Sequence, residues 1–459
     1  MTITSYSDAR RRSLAIAVAL ATLTGATTTV AAGTGMRARA AEGAPRPNVL
    51  VIVTDDQRAL GTLEVMPETH ARFWAEGTSF PNAFATTPLC CPSRTSIFTG
   101  MYEHNHGVTS NAQATDLPQA ATMQRHLHDA GYRTAIVGKY LNGWPSTTAP
   151  PYFDRWATTA GGGYRDFKAN VDGAVRVVSR YSTSFMGARS VDVLRDFEGT
   201  DARPWFLYLA VNAPHAPREP SRRYADAPVP EWTPGPATAE ADVADKPPFL
   251  VSKKEPERVA RTRAAQLRTL MSADDLVGRV FRTLDELDET SRTLAVFVSD
   301  NGFLWGEHGY QRKRLPYDES VRLPFALRWP GRVDAGVVDE RLVANVDIAP
   351  TVLGAAGLPL PATVDGRTLL DGHARAHLLL EYRGKRRPIR SWASIRTHDY
   401  VFTQWFESGV VFREHYDLRT DPHELDNVLA DDDPTNDPAV DALADQMRRY
   451  RRCSGSTCP

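Results

Sequence analysis

Short apolar runs, separated by segments with helical periodicity, constrain the fold of this chain most strongly. Four of them lie in NVLVIVTDD (48–56), RTAIVGKY from residue 133, WFLYLAVNAPH (205–215) and RTLAVFVSDNG (292–302). Continuous runs of this kind are typical of buried parallel strands. The segments between them include TMQRHLHDAG, which ends at Gly131, and the long RTRAAQLRTLMSADDLVGRVFRTLDELDE from residue 261. Strands alternating with helices predict an α/β fold with a mostly parallel sheet flanked by helices.

The pattern changes near residue 370. Residues 390–418 alternate apolar and polar side chains, as antiparallel strands do, and DPAVDALADQMRRYRR forms a predicted helix near the end. We therefore expect a main domain over residues 41–370 and a smaller α+β subdomain with an antiparallel sheet over residues 371–459. Residues 226–257, rich in Pro, Ala and charge, predict a long surface excursion, either an active-site rim or a tolerated insertion.

Residues 1–40 are predicted to be a cleaved export signal. The arginines at 10–12 precede an Ala-rich apolar run, and ARAA supplies a small-residue cleavage site after Ala40. The arginines followed by Ser-Leu also resemble a twin-arginine signal. A membrane anchor is the alternative, but the run is diluted by Thr and Gly and lacks the roughly 20 strongly apolar residues that a span needs. We expect a secreted protein with no membrane span after cleavage.

The charge of the chain is nearly balanced, at −1 at pH 7. Nothing in this balance indicates a nucleic acid or an anionic membrane as partner, and an anionic substrate must be attracted by a local basic site.

The cysteines fall into two pairs. Cys453 and Cys458, in RRCSGSTCP, can close a small disulfide loop in an oxidising compartment, or remain two free thiols in a frayed tail. Adjacent cysteines such as Cys90 and Cys91 rarely bridge each other, because the intervening peptide would be strained. They also lack the two-residue spacer of a dithiol redox motif. This pair needs another explanation.

Polar residues follow each of the four predicted strands: Asp55-Asp56, Gly138-Lys139, Pro214-His215 and Asp300-Asn301. Ligands of open parallel sheets bind beyond the carboxyl ends of the strands, so these residues are expected to face one crevice. The two acidic pairs offer hard oxygen ligands, which suit Ca²⁺ or Mg²⁺ rather than zinc. Each acid alone could instead cap a helix or turn. The joint position of both pairs at strand ends favours the metal.

The segment PLCCPSRTSIFTG places Cys90 just before a predicted helix N-terminus, which Pro92 and Ser93 indicate. Free backbone N–H groups there favour an anion, and Arg94 adds a permanent cation. A catalytic thiolate would fit this setting. Soft sulfur, however, is a poor Ca²⁺ ligand, and an oxygen nucleophile at position 90 would resolve the conflict.

The motif CCPSR resembles the C-x-P-S-R signature of the type I sulfatases. Further segments resemble that family in its order along nearly the whole mature chain: NVLVIVTDDQ, VGKYLN, APHAP, VSDNG, NVDIAPTVLGAAGL with DGRTLL, and HYDLRTDPHELDNV. TDDQ, LCCPSR with EHNHGV, and GKYLN are most similar to the N-acetylglucosamine-6-sulfatase branch. The resemblance implies an alkaline-phosphatase-like core and makes residues 41–370 the sulfatase catalytic domain.

The resemblance also implies how the site works. A formylglycine-generating enzyme would oxidise Cys90 to formylglycine (3-oxoalanine), and the hydrated aldehyde would attack sulfur. Ca²⁺, in preference to Mg²⁺, would be held by residue 90 together with four others: Asp55, Asp56, Asp300 and Asn301. The second hydroxyl of the diol would let the sulfated intermediate collapse to aldehyde and free sulfate, which a serine could not do.

The remaining roles follow by position. Arg94 would stabilise the diol, Lys139 and Lys313 would bind the sulfate oxygens, and His215 would be the general acid, sharing that work with Lys313. Surface lysines and turn-bracing histidines are the alternative interpretation of these residues. QRKRLP also offers other cations beside Lys313.

One position departs from the family pattern. Many sulfatases carry a His two residues after the Lys of VGKYLN, where this chain has Leu141 followed by Asn142. Asn142 is a candidate for part of its substrate-binding role. His104, His106 and His308 are candidates for a replacement base, and a buried structural role is the alternative for each.

We expect an exported, Ca²⁺-dependent sulfatase acting on a sulfate ester, such as a 6-sulfated glucosamine-type sugar, with specificity in the loops at 145–185 and 226–257. The alternatives are a phosphonate monoester or phosphodiester hydrolase of the same superfamily, and an inactive sulfated-glycan binding protein with unmodified Cys90.

Overall fold

A ten-stranded sheet runs through the centre of the structure, a computed structural model that describes residues 46–250, 255–384 and 389–459. The predicted signal at residues 1–40 lies outside the described residues. The strands, numbered along the chain, begin with β1 (Asn48–Thr54), β2 (Thr78–Ser79), β3 (Ala83–Phe84), β4 (Arg133–Gly138), β5 (Arg155–Ala160), β6 (Phe167–Val171), β7 (Ala174–Val178), β8 (Trp205–Ala210) and β9 (Thr293–Ser299). They continue with β10 (Leu304–Trp305), β11 (Gln311–Arg312), β12 (Phe325–Arg328), β13 (Val337–Val338), β14 (Val343–Ala344), β15 (Leu378–Tyr382), β16 (Ser391–Arg396), β17 (Tyr400–Phe406) and β18 (Val410–Asp417).

The α-helices lie between these strands and after them. They are α1 (Pro67–Thr69), α2 (Cys90–Thr99), α3 (Glu103–His106), α4 (Met123–Asp129), α5 (Ser182–Thr200), α6 (Pro236–Ala239), α7 (Pro256–Glu286), α8 (Asp318–Val321), α9 (Ile348–Ala355) and α10 (Val440–Tyr450). None of the helices in the described part of the chain is long and apolar enough to cross a membrane.

The central strands of the large sheet are parallel, as predicted. The strand order is β13-β2-β12-β9-β1-β8-β4-β5-β6-β7. Within it β9, β1, β8, β4 and β5 pair in parallel, and Val51 of β1 lies opposite Tyr208 and Val296. Both flanks contain antiparallel pairings, of β12 with β9 and β2 on one side and of β5, β6 and β7 on the other. The predicted α/β class is confirmed, and the antiparallel flanks are an addition to it.

Both faces of the sheet are covered, which explains why its central strands are apolar throughout. Leu50 and Ile52 of β1 pack into one core with residues of α5 and α7, while Val49, Val51 and Val53 pack into a second core with residues of α2, α4 and α9. Successive side chains of a strand point to opposite faces, so β1 contributes to both cores. Every residue of β1, β8 and β9 is buried.

The C-terminal region contains the predicted antiparallel sheet and helix. Strands β15 to β18 pair in sequence order, and Trp392 and Trp405 lie in a third core together with Met447 of α10. Phe84 and Tyr102, from the first part of the chain, belong to the same core. Cys453 and Cys458 form a disulfide. The domain boundary at residue 370 stays a prediction.

Candidate active site

The polar residues that follow β1, β4, β8 and β9 meet at one edge of the sheet. Backbone hydrogen bonds continue the parallel ladder beyond the strand ends: Lys139 N–H donates to Ala210 at 2.9 Å and Asp300 N–H donates to the Thr54 carbonyl at 3.0 Å. Gly138 has φ 104°, and a side chain there would collide with the Ala210 carbonyl. Glycine is therefore required at the point where Lys139 leaves the strand.

Helix α2 brings the cysteine motif to the same edge, although the helix begins earlier than the sequence predicts. The helix begins at Cys90, with Leu89 as its N-cap, rather than at Pro92. A proline fits anywhere in the first turn, because the N–H it lacks would have no partner inside the helix, so Pro92 marked the turn but not its first residue. All ten residues of α2 are buried. Cys90 Sγ lies 3.7 Å from Asp55 Oδ1.

The predicted metal ligands are brought together. One possible ligand atom from each of Asp55, Asp56, Cys90 and His215 lies within 4.8 Å of all the others. Asp300 joins this group because its Oδ1 accepts the N–H of Asp56 at 3.2 Å. Asn301 Nδ2 donates to Asp56 Oδ1 at 2.8 Å.

The two predicted lysines face these carboxylates. Lys139 forms an ion pair with Asp55, and Lys313 forms one with Asp56. Lys313 Nζ also lies 2.8 Å from Cys90 Sγ and 3.2 Å from Asn301 Oδ1. Lys313 thus places an ammonium group beside residue 90, and Lys139 holds a second one on Asp55.

These contacts keep the groups charged although they are buried. Burial alone would raise the pKa of Asp55 and of Asp56, but Lys139 and Lys313 respectively outweigh it and hold both pKa values below the usual range. Burial alone would likewise lower the pKa of each lysine, and the carboxylates raise it instead. The site therefore holds ionised carboxylates and protonated lysines over the ordinary pH range.

Arg94 is the third cation of the site and is fully buried. Its Nε lies 2.9 Å from Asp300 Oδ2, one terminal nitrogen donates to the Lys139 carbonyl at 3.0 Å, and the other lies 3.7 Å from Asp55 Oδ2. Its guanidinium thus ties α2 to the ends of β1, β4 and β9.

The formal charges of the site are balanced. Three carboxylates (Asp55, Asp56 and Asp300) face three cations (Arg94, Lys139 and Lys313), so their formal charges cancel. The oxygens present, from carboxylates and the Asn301 amide, are the donors that Ca²⁺ prefers. A bound divalent cation would give this centre a net charge of about +2, which complements a sulfate ester. The residues fit the ion that the sequence predicts.

The chemistry of Cys90 argues against a thiolate enzyme. Burial raises the pKa of Cys90 to about 11 and that of Cys91 to about 12. Both cysteines are free and buried. Protonated thiols are poor nucleophiles, and redox cysteines depend on a lowered pKa, so neither the thiolate nor the dithiol interpretation fits this site.

His215 is oriented by its own loop. Nδ1 lies 2.7 Å from the Ala216 carbonyl oxygen, which can only accept, so Nδ1 carries a proton. Nε2 is the nitrogen that faces the site, 3.9 Å from Asp56 Oδ2. The side chain is 28% exposed, so it borders the open cleft. A proton donated into the site from His215 must come from Nε2 of the doubly protonated ring.

The three candidate replacement histidines are engaged elsewhere. His104 Nδ1 lies 2.7 Å from Glu381, His106 Nε2 lies 3.2 Å from the Ser96 hydroxyl, and His308 Nδ1 lies 2.8 Å from Glu240. Burial lowers the pKa of His106 to about 3. These contacts are structural, and in the described residues none of the three forms an ion pair or hydrogen bond with the metal-ligand group.

Two clefts open from the site, and they contain residues that sequence reasoning missed. One, of about 280 Å³, is lined by Lys139, Asn142, Trp144 and His215 together with residues 159–162 of the predicted specificity loop. The other, of about 360 Å³, is lined by several arginines. Trp144 could have been found from its position just beyond GKYLN. Arg218 could have been found from its position just after His215, beyond the end of a predicted strand.

Asn142 lines the first cleft, and its backbone contacts Cys91. Its N–H lies 3.1 Å from the sulfur of Cys91. Leu141, at the position of the family histidine, is buried in the core. The same leucine also lines the first cleft, where it presents an apolar surface and cannot act as a base.

Two family profiles match the chain. The profile described as sulfatase matches residues 47–358, and the one described as N-sulphoglucosamine sulphohydrolase, C-terminal, matches residues 306–452.

Curated relatives are sulfatases. An extracellular sulfatase Sulf-1 homolog of Drosophila melanogaster is 34% identical over 347 residues, which are 71% of this chain and 31% of that protein. A Sulf-1 homolog of Caenorhabditis elegans is 34% identical over 71% of this chain and 48% of that protein. The chain thus spans half or less of the length of these relatives. Human N-acetylglucosamine-6-sulfatase is 28% identical over 91% of this chain and 87% of its own length.

Solved structures share the fold. A protein in complex with its substrate D-glucosamine-2-N,6-O-disulfate has a TM-score of 0.73 at 24% identity, covering 88% of this chain and 97% of that chain. A phosphonate monoester hydrolase from Silicibacter pomeroyi has a TM-score of 0.70 at 24% identity, covering 90% and 96%. At these identities the likeness establishes the architecture, and the predicted sulfatase and alkaline-phosphatase-like fold is confirmed.

Proposed function

This chain belongs to the sulfatase family, and we propose that it hydrolyses a sulfate ester on a sugar such as N-acetylglucosamine 6-sulfate. The observation that carries the proposal is the position of Cys90. Its side chain lies between Lys313 and Asp55, at the start of a buried helix and at the edge where the parallel strands end. A reacting atom at residue 90 would meet cations and carboxylates at once, and Asp56 and Lys313 beside it line a cleft.

The nucleophile is proposed to be the hydrated aldehyde made from Cys90 by a formylglycine-generating enzyme. The CCPSR motif supports the modification, and the raised pKa of the thiol explains why the unmodified side chain would be a poor nucleophile. Two hydroxyl groups on one carbon provide both an attacking oxygen and a route for releasing the product.

The cofactor is proposed to be Ca²⁺. Asp55, Asp56, Asp300 and Asn301 would hold it together with an oxygen of residue 90, since they supply hard donors within one small volume. When bound, the ion would stabilise negative charge on the attacking oxygen and on the sulfate.

The chain's own residues account for the remaining steps. One hydroxyl of residue 90 releases its proton to solvent and forms a bond to sulfur as the bond from sulfur to the sugar oxygen breaks, and His215 Nε2 donates a proton to that leaving oxygen. Lys139 and Lys313 hold the sulfate oxygens, and Arg94 fixes residue 90 against Asp300. The second hydroxyl then gives its proton to the free Nε2 of His215, its oxygen becomes the aldehyde carbonyl, and the bond from that carbon to the sulfated oxygen breaks to release inorganic sulfate; water restores the diol.

The substrate is proposed to be a 6-sulfated amino sugar, and the enzyme is proposed to be exported. The cleft with Asn142 and Trp144 has polar groups and an aromatic ring, the surfaces that a sugar ring needs. Relatives named N-acetylglucosamine-6-sulfatase support the 6-sulfated amino sugar. Relatives named extracellular sulfatases, with the predicted signal at residues 1–40, support export.

A rate comparison tests the reaction class. Protein produced with a formylglycine-generating enzyme is assayed on N-acetylglucosamine 6-sulfate and on a phosphonate monoester, with Cys90→Ala as the control. We expect the sulfate ester to be preferred and the variant to release no sulfate. Preference for the phosphonate would move the chain to the rival hydrolase class, and binding of the sugar without turnover of either ester would make it a glycan-binding protein.

A further inference from the structure

The cleft of about 360 Å³ beside the reaction centre has a basic wall. Arg218, Arg312 and Arg314 line it together with Lys313. Arg312 and Arg314 are the chain neighbours of Lys313, whose ammonium nitrogen lies 2.8 Å from Cys90 Sγ. The arginines therefore border the space next to the group that is cleaved.

These arginines form no ion pair with a described carboxylate. Across the described ranges, no carboxylate oxygen lies within 4.0 Å of a guanidinium nitrogen of Arg218, Arg312 or Arg314. Arg58, by contrast, lies 2.7 Å from Glu307. The Nε of Arg218 is buried and donates no hydrogen bond. A half-buried arginine without a direct ion pair is unusual, because desolvation of the guanidinium is then offset only by more distant charge, here that of Asp56.

The cluster is also crowded with like charge. Burial lowers the pKa of Arg218; the charge of Asp56 opposes this effect, and the charges of Arg312 and Arg258 act in the same direction as burial. The Arg218 guanidinium lies 5.0 Å from the centre of the Phe303 ring, which holds it in place. Mutual repulsion of this kind is relieved when an anion binds among the cations.

The backbone supports the same conclusion. Arg218, Arg312 and Arg314 have φ values of 60°, 81° and 83°. Every arginine with positive φ in the described residues thus lines this cleft. Non-glycine residues in this region cost about 1–3 kcal/mol each and are held there only by their surroundings, most often at functional sites.

We propose that this cleft binds a second anionic group of the substrate, a sulfate or a carboxylate carried near the scissile sulfate ester. The preferred substrate is then a sugar with at least two negative groups. Planar guanidinium groups bind sulfate and carboxylate oxygens through paired hydrogen bonds, which a lysine cannot do. This assignment rests on the proposed function, because it places the scissile sulfate at Lys139 and Lys313.

A binding experiment tests the proposal independently of turnover. Full-length Cys90→Ala protein is titrated calorimetrically with three ligands: a glucosamine 6-sulfate, the same sugar with a second sulfate, and the same sugar linked to a uronic acid. We expect at least one doubly charged ligand to bind about tenfold more tightly or better than the first, since hydrogen bonds to charged groups have this strength. The ligand that gains affinity identifies the second group as sulfate or carboxylate.

Variants then locate the effect. Arg312→Gln, at an exposed position, and Arg218→Gln should each bring the ratio of the two affinities close to one, while Arg195→Gln on α5 should leave the ratio as it is. Circular dichroism checks that each variant is folded, and either cleft variant alone is sufficient for the test. Equal affinity of the parent protein for all three ligands would overturn the proposal, as would a ratio that persists in both cleft variants.

The outcomes separate this proposal from the proposed function. If converted protein releases no sulfate but the affinity ratio depends on Arg218 and Arg312, the anion subsite stands and the sulfatase activity fails. If sulfate is released and the ratio is close to one, the activity stands and the subsite fails.

Discussion

His215 illustrates how a single contact fixes what a residue can do. Because Nδ1 is committed to the Ala216 carbonyl, only Nε2 faces the reaction centre. As a general acid, the ring must therefore bear both protons before each turnover. The contribution of that proton depends on how much the leaving oxygen needs it.

We predict that His215→Asn lowers the rate on the sugar sulfate much more than on an aryl sulfate. An alcohol is a poor leaving group and needs the proton, for which general acid catalysis contributes about 10²- to 10⁴-fold, whereas a nitrophenolate leaves without it. Comparing kcat/KM on the two substrates measures the difference. His398→Asn, at an exposed position, is the control. Equal losses on both substrates would assign His215 to binding rather than to proton transfer.

The structure brings together the candidate residues that local chemistry alone defined. CCPSR and the polar pairs after the strands were identifiable because each has a fixed position relative to an apolar run. Arg218 and Trp144 were not identified from the sequence. They lie in loops whose course depends on distant contacts and whose sequences show no periodicity. Nothing in the sequence shows that Arg218 stacks on Phe303.

At the scale of elements, α3 is joined to the C-terminal sheet by a buried pair. His104 donates to Glu381 of β15, and its other ring nitrogen lies 3.0 Å from the Cys453 carbonyl. Burial alone would lower the pKa of His104, but the hydrogen bond and charge of Glu381 outweigh it and raise the pKa above its usual 6.5. The charged pair therefore stabilises the fold while His104 is protonated.

We predict that His104→Gln destabilises the protein more under mildly acidic conditions than under alkaline ones. A histidine whose pKa is raised on folding contributes full stability below its unfolded pKa of about 6.5, and this contribution is lost as the pH rises through the folded value. Urea denaturation of both proteins at several pH values measures the difference, expected to be about 1–3 kcal/mol at the acidic end. The exposed His70→Gln provides the control. A difference that is constant with pH would show that the pair is not charged.

Element prediction succeeded for long buried strands and failed for short ones. The runs of β1, β4, β8 and β9 are apolar throughout because both faces of each are covered. The antiparallel flanks escaped notice since β2 has two residues and β7 is mostly exposed, and neither has a clear pattern. Helix α2 was placed two residues late because Pro92 is compatible with every position of a first turn.

At the scale of the whole molecule, the proposed Ca²⁺ connects elements far apart in sequence. Its ligands follow β1, β9 and the start of α2, so binding should stabilise the fold as a unit. We predict that Ca²⁺ raises the melting temperature of chelator-treated protein, because a ligand at about 100 times its Kd adds about 2.7 kcal/mol of stability. Asp56→Asn should lose most of this increase, and Asp226→Asn, at an exposed position, should keep it. An equal increase in all three proteins would place the ion elsewhere.

The position of the whole site was predictable because parallel strands end at one edge, so their last residues must be neighbours. The balance of charges at the site was not predictable from the sequence. That three carboxylates face three cations, and that Leu141 and Asn142 both line the cleft, depends on loop geometry that follows from tertiary packing.

The state of residue 90 tests the central claim most directly. A mass spectrum of the peptide containing Cys90, taken after thiol alkylation from protein exported by its own host, reports the modification. We predict a loss of about 18 Da relative to cysteine and one alkylation site fewer, as conversion to the aldehyde requires. A fully alkylated Cys90 would contradict the proposed nucleophile, and with it the sulfatase mechanism.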